Sequence, residues 1–302
     1  MAILGAHVGS FYYQAEASYG VGLPVAGQQE IPSDATTSVT MTPSMNLKRL
    51  TTINDYDAQD TIQGGHDYTV NVEYNLQGLK AATQHLAATC LEYYGTYRTA
   101  GDLLSIAGVL KTGAATWFYL KGGKINSLTY TFAVGQPVTV AAEIWFNNLT
   151  SVATLPTGGT PAAAIATAFE TYNGSIFTRT GRWLGGIKGA TLTINNNLER
   201  IPRINTGTAQ GGDYAIILPG VQEIGFTADI IADTGGKADI DEILTDPETT
   251  IVLASGASAG VSQKWTLTKP DFNSEPVVYQ ADMTTLIISA NMGAESVAFA
   301  AV

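Results

Sequence analysis

GATLTINNNLERIPRI, residues Gly189 to Ile204, is the stretch from which the rest of the chain can be read. Leu192 and Ile194 alternate with Thr191, Thr193 and Asn195, the two-residue period of a half-buried β-strand. The triplet Asn195-Asn196-Asn197 then predicts a bend or bulge. Asparagine side chains bond nearby backbone and tolerate left-handed dihedrals. Leu198-Glu199-Arg200-Ile201 resumes the apolar pattern, and Pro202 bars a central, fully paired strand at that end.

An echo of this stretch lies in the first half of the chain, VTMTPSMNLKRL from Val39 to Leu50. Asn46-Leu47-Lys48-Arg49-Leu50 aligns with Asn197-Leu198-Glu199-Arg200-Ile201 at a separation of 151 positions, half of the 302 residues. The elements that follow come in the same order in both halves, and a period this long predicts a duplicated domain rather than a solenoid. In the first half, Tyr68 to Tyr74 alternates as a strand, and Leu79 to Tyr94 has the spacing of an amphipathic helix through Leu79, Ala82, Leu86, Cys90 and Tyr93. Strands follow at Lys124 to Phe132 and Val138 to Phe146. In the second half, Val221 to Ile231 supplies a strand and Ala238 to Thr245 a shorter helix ended by Pro247. Strands at Thr250 to Leu253, Trp265 to Thr268 and Leu286 to Ala290 close it. The expected class is mainly β (α+β): two tandem β-sandwich units, each flanked by a helix.

The expected boundaries are an N-terminal arm over 1–37, a first unit over 38–147, a linker with a short helix over 148–185 and a second unit over 186–302. The arm carries Phe11-Tyr12-Tyr13 and Tyr19 but is broken by Gly20, Gly22, Pro24, Gly27 and Pro32. It either packs across the domain behind it or reaches a neighbour. Because its aromatics lack a local core, Met1 to Gly27 is expected to contact a neighbouring subunit or the next ring. In the linker, Thr160-Pro161 reads as a cap and first helical residue, with Ile165, Phe169 and Tyr172 forming a docking face.

Composition narrows the function classes. Charged residues make up 14%, against roughly 25% in soluble domains generally, while glycine is abundant at 32 residues. Such a surface suits a protein covered by other subunits. A net charge of −11 argues against a nucleic-acid clamp, which needs clustered lysine and arginine. Cys90 stands alone, permits no internal disulfide and is expected in the core. Met1 to Gly22 lacks the basic start of a secretory signal, and no apolar run reaches the roughly 18 residues of a membrane helix. Asn148-Leu149-Thr150 and Asn173-Gly174-Ser175 match the glycosylation pattern without a route that would use it.

No constellation for chemistry emerges. His7 falls in the arm, His66 in a glycine-rich turn and His85 in the first helix, none at metal-ligand spacing with a second ligand. Asp55, Asp57 and Asp60 cluster around Tyr56 but lack the glycine and closing glutamate of a calcium loop, so a solvated loop is expected. Gly64-Gly65 and Gly211-Gly212 precede strands and not helices, which excludes phosphate loops. No catalytic, cofactor-binding or metal-binding residue is assigned, and an enzyme is not expected.

The order of elements resembles the major tail tube proteins of long-tailed bacterial and archaeal viruses. Three pieces carry the resemblance: Leu192 to Arg200 (LTINNNLER), Gly123 to Thr129 followed by Val134 to Val140 as paired strands joined by a short glycine-containing turn, and Thr284 to Ala290 as a closing strand. It spans roughly 35 to 290 and leaves the arm and the tail after Asn291 without a role. The resemblance implies a structural virion protein whose subunits close into rings, join sheets edge to edge around a lumen and stack into a conduit for the genome. It implies self-association, contact with tape measure and tail-end proteins, and DNA passing through without specific binding. It also implies a place in the viral tail after assembly in the host cytoplasm, with no membrane. The inward face should be net negative or neutral, with few lysines or arginines. Two similar units per chain favour a ring of three with pseudo-sixfold symmetry, against a ring of six in which each chain forms one composite sandwich. The competing classes are a tail adaptor or capsid decoration protein, and a cell-surface adhesion module.

Overall fold

The computed structural model describes residues 9–22, 29–30, 36–50, 60–76, 86–91, 103–112, 117–133, 135–152, 176–179, 187–202, 214–231, 250–255, 263–274, 277–278 and 287–301. In the first half the strands are β1 (Gly9–Ala15), β2 (Gln29–Glu30), β3 (Thr36–Leu50), β4 (Asp60–Asn75), β5 (Ile106–Thr112), β6 (Trp117–Ala133), β7 (Thr139–Phe146) and β8 (Asn148–Val152). The helix α1 (Leu86–Leu91) lies between β4 and β5. The second half supplies β9 (Ile176–Arg179), β10 (Ile187–Asn195), β11 (Glu199–Pro202), β12 (Tyr214–Leu218) and β13 (Glu223–Ile231). It ends with β14 (Thr250–Ser255), β15 (Gln263–Ser274), β16 (Val277–Val278) and β17 (Ile287–Ala301). The fold is mainly β, as expected.

Among the described residues every pairing is antiparallel, and all strands except β11 and β12 belong to one connected sheet. Within the first half the order is β3-β4-β7-β6-β5-β1, and within the second it is β10-β13-β17-β15-β14-β9. Strand for strand, these are the same order. They share irregularities as well. Between Met45↔His66 and Leu47↔Gln63, the single residue Asn46 faces two, Gly64 and Gly65, so the return strand carries one extra residue. Between Asn195↔Glu223 and Glu199↔Leu218, three residues face four, again one extra on the return side. The asparagines that align in the sequence thus mark the same break in two long hairpins. Gly64-Gly65 lie inside β4, not before it, and His66 is a strand residue stacked on Tyr68 and not part of a turn.

The asparagine triplet breaks the strand as its composition predicts. Asn197 adopts a φ of 45°, the left-handed region that asparagine tolerates. Asn196 is buried and donates Nδ2 to the carbonyls of Ile125 at 2.9 Å and Cys90 at 3.1 Å. Its Oδ1 accepts from Gln222 Nε2 at 2.8 Å. Beyond it, among the described residues, β11 pairs only with β12, irregularly at Pro202, in keeping with the limit that proline sets.

The halves join through β6. Its N-terminal part lies between β5 and β8; its C-terminal part lies between β7 and β10, with Tyr130 opposite Leu192. Gly122 and Gly123 mark the change. Gly122 has a φ of 61°, and a Cβ on Gly123 would fall 2.3 Å from the Phe146 ring and 2.9 Å from the Ile106 carbonyl. The hydrophobic core consequently runs across the expected boundary as one cluster. Trp265 of β15, fully buried, packs against Tyr130 at 4.5 Å and Phe132 at 6.2 Å between ring centroids. Two expected linker segments are strands of the sheet, β8 and β9, while the helix expected after Thr160-Pro161 lies outside the described residues.

One premise about the arm is corrected, that its aromatics lack a core within the chain. Its aromatics do not wait for a neighbour, because β1 pairs along its whole length with β5 and buries Phe11, Tyr12 and Tyr13 in the chain's own core. The breakers that argue against a local core come after Ala15, and the partner strand lies about ninety residues away. Removing Met1 to Gly27 would therefore strip the core and bare the edge of β5. The tail after Asn291 also has a place: β17 continues to Ala301, pairing Val297 with Leu267 and Phe299 with Trp265. Of the first expected helix the described part is α1, whose Leu86, Ala87 and Cys90 are buried; the second, Ala238 to Thr245, lies outside the described residues.

Four buried acids make the fold sensitive to base. Desolvation pushes the Cys90 thiol up to about 12, an effect that its bond from Asn196 only partly offsets. Burial also raises the phenols of Tyr13, Tyr74 and Tyr130. Each group holds its proton more tightly folded than unfolded, so this stability is full below the unfolded values, about 8.5 for thiol and 10 for phenol, and falls as pH rises above them. Chemical denaturation from pH 7 to 11 should show a loss beginning near pH 9; a midpoint that stays constant to pH 11 would contradict this burial.

Candidate functional site

The sheet has two faces of opposite chemistry. On one side Val70, Val72, Leu128, Tyr130, Ile144, Leu192, Ile194, Ile224 and Phe226 point into the core. The other side is built by the residues between them. Register places Asn71 opposite Glu143 and Glu143 opposite Ser127, and Ser127 opposite Asn195, itself opposite Glu223. A second row runs from Glu73 through Ala141, Thr129 and Thr193 to Gly225. A third runs Thr139, Thr131, Thr191 and Thr227. Threonine suits this duty because its branched Cβ favours the extended backbone while its hydroxyl faces water.

These rows cross from β4 to β13 without interruption at the junction of the halves. Their charged members are all acids, Glu73, Glu143 and Glu223, with Asp229 at the end of β13 opposite Gly189. Ser38, Asn71, Glu73, Ser127, Thr129 and Glu143 line a shallow depression on this face. Glu143 is held in place by Asn126 Nδ2 at 3.3 Å and by the indole N–H of Trp145. These rows are polar and anionic, and among their members they offer a polyanion neither cations nor a stacking platform.

Arg200 lies beside this face, over Trp145, and it is engaged. Its guanidinium lies 4.1 Å over the Trp145 ring, Nη2 donates to Thr69 Oγ1 at 3.3 Å, and Nε is 3.6 Å from Asp67 Oδ1. Beside it, Leu198 packs with Leu103 and Ile217 against Trp145. The Leu-Glu-Arg run thus clamps β11 to the first half of the chain.

A second polar centre ties the arm down. Glu16 is buried, and its carboxylate accepts from the backbone N–H of Gly20 at 2.9 Å, Gly22 at 2.9 Å and Gly122 at 3.1 Å, and from the Ser105 hydroxyl. Nearby, the fully buried Lys124 donates to the Ile217 carbonyl and lies 4.7 Å from the Tyr19 ring centre. The Tyr19 hydroxyl accepts from the Ile217 N–H at 3.0 Å, so arm, β6 and β12 meet there.

Among the described residues, no group of three or more histidine, cysteine, aspartate or glutamate side chains could hold a metal ion. Asp60 begins β4, whereas Asp55, Asp57, His7 and His85 lie outside the described residues. No described helix is long and apolar enough to cross a membrane. Sequence reading missed the anionic face as a unit. The alternation of each strand was legible, but nothing in it told that β6 and β10 would be neighbours. A model of a protein family described as phage tail tube protein matches residues 7–291. A search of curated proteins returned no match.

Proposed function

This chain belongs to the phage tail tube protein family and is a structural subunit of the tail tube, and on that premise we propose how it builds the tube. The family implies self-assembly into a tube, association with other tail proteins and a place in the virion tail. In our reading, units 38–147 and 186–302 descend from one duplicated unit, and three chains close a ring of pseudo-sixfold symmetry. The observation that carries this is the repeated strand order, which includes the asparagine-marked break in both hairpins.

Each chain offers eight strands in a row, β3-β4-β7-β6-β10-β13-β17-β15, with one face of threonine, serine, asparagine and carboxylates. Three chains would give a closed wall of 24 strands. With strands about 4.8 Å apart and tilted about 40°, its circumference is about 150 Å and its diameter about 48 Å. Barrels of about 16–18 strands already leave an aqueous channel, so this one would be open. The anionic face lines that channel in our reading, and DNA slides past it without specific binding. The tape measure and tail-end proteins are the other partners, with assembly in the host cytoplasm.

Electron microscopy of tubes in cross-section tests the ring. Three full-length chains per ring are expected. Six would overturn both the trimer and the pairing of equivalent units. Isolated rings or monomers at all concentrations would favour an adaptor or an adhesion module instead.

A further inference from the structure

We propose that the ring closes through one defined strand pairing, between the outer edge of β15–β16 and the outer edge of β3 of a second copy. The register is the one that β6 and β10 use within the chain. This inference rests on the tube reading above and adds to it the contact that makes the ring.

The template is inside the molecule. β3 occupies in the first half the place that β10 occupies in the second, and β15–β16 the place of β6. The equivalence extends to irregularities. β6 has a register shift between Ile125 and Ser127, around Asn126; β15 has one between Phe272 and Ser274, around Asn273. In both, the strand opposite the shift continues without interruption, from Ile144 to Glu143 and from Met292 to Asn291. Past the shift, β16 pairs Val277 with Ile288, as β6 pairs Tyr130 with Val140. What differs is the far side. The edge of β6 there is covered by β10, from Ser127 to Ala133. Among the described residues, β3 pairs only with β4, β16 only with β17, and residues 270–274 only with β17.

Among the described residues the outer edge of β3, a strand of fifteen residues, has no partner, and natural proteins cover or blunt such edges. Here the chain contains the strand that would cover it, in an arrangement it already uses once. The two edges differ, so the contact is head-to-tail and propagates around a ring instead of ending in a dimer. Transferring the pairs Thr131↔Thr191 and Tyr130↔Leu192 puts Val278 opposite Thr40, and Val277 opposite Met41, of the second copy. Pro43 has no N–H to donate, which places the centre of the ladder near Thr40.

Cross-linking reads the register. Facing residues of an antiparallel pair have Cα atoms about 4.5–5.5 Å apart, within reach of a disulfide. The native Cys90 is buried and adds little background. Tubes of the full-length Thr40→Cys/Val278→Cys variant, mildly oxidised, should shift from the 31.7 kDa chain to covalent two- and three-chain species on a non-reducing gel. The Thr40→Cys/Val277→Cys variant, one residue out of register, should cross-link at least tenfold less, because a slip by one residue turns side chains to the opposite face. If three-chain rings form but the in-register pair gives no more product than the slipped pair, this interface is wrong while the tube reading stands. If the wild-type chain forms no rings or tubes, the tube reading itself fails. Should the cysteine variants not assemble, hydrogen exchange on wild-type tubes decides. Protection of residues 36–44, 270–274 and 277–278 should rise at least tenfold over unassembled protein, and unchanged exchange there would overturn the proposal.

Discussion

Replacing Glu16 by alanine is expected to lower the stability of the fold by about 3–5 kcal/mol, a large part of the roughly 5–15 kcal/mol available to a domain. The Gly22 and Gly122 N–H groups that its carboxylate accepts are buried, whereas Gly20 is exposed and can turn to water. Each buried donor left without an acceptor costs about 1–3 kcal/mol, and the bond from Ser105 is lost as well. Shrinking the side chain also opens space beside the turn that carries the arm into the core. Glutamine should recover part of the loss, since its carbonyl oxygen can still accept two of these bonds. Chemical denaturation of wild type, Glu16→Ala and Glu16→Gln measures all three. An alanine variant within 1 kcal/mol of wild type would show that the arm is held by Phe11 and Tyr13 alone.

The second large effect concerns the anionic face. Thr131 and Thr227 are exposed and lie two strands apart across Thr191. Changing both to lysine should cost little stability, since exposed positions tolerate substitution to within about 0.5 kcal/mol. In a ring of three it puts six cations on the wall of the channel. Six phosphate contacts make binding fall about 10³-fold between about 50 and 200 mM salt. Virions with the double lysine tube should therefore assemble normally, then release their genome at least tenfold more slowly at low salt and recover at high salt. The matching double glutamate tube should release at the wild-type rate. Equal release rates from lysine and glutamate tubes at low salt would mean that this face does not line the channel.

Local patterns carried much of this structure. The alternation of Leu192 and Ile194 with three polar residues was enough to orient β10, and the asparagine triplet was enough to break it, because strand period and left-handed tolerance are properties of a few adjacent residues. The same holds for the β6–β7 turn, where Gly135 takes a φ of 73°. The echo between Asn46 and Asn197 was legible at a separation of half the chain, and its structural meaning is a matching extra residue in two hairpins.

Partnership across distance was not legible. Phe11-Tyr12-Tyr13 gave no sign that it would pair with Ile106–Thr112, nor Glu16 that its carboxylate would reach Gly122. Arg200 could not be placed over Trp145 from its place in a Leu-Glu-Arg run. Above all, the expectation of two tandem sandwich units did not tell that β6 joins β10 and that Trp265 packs on Tyr130. A strand's period tells which residues share its face, but an unpaired edge accepts any strand whose register buries the same side. The amino-acid sequence by itself determined the strands, their breaks and their polar and apolar faces. Which edges meet, and hence that the anionic faces of both halves form one continuous surface, was decided only by the tertiary structure, because edge pairing is settled by the packing of the whole core.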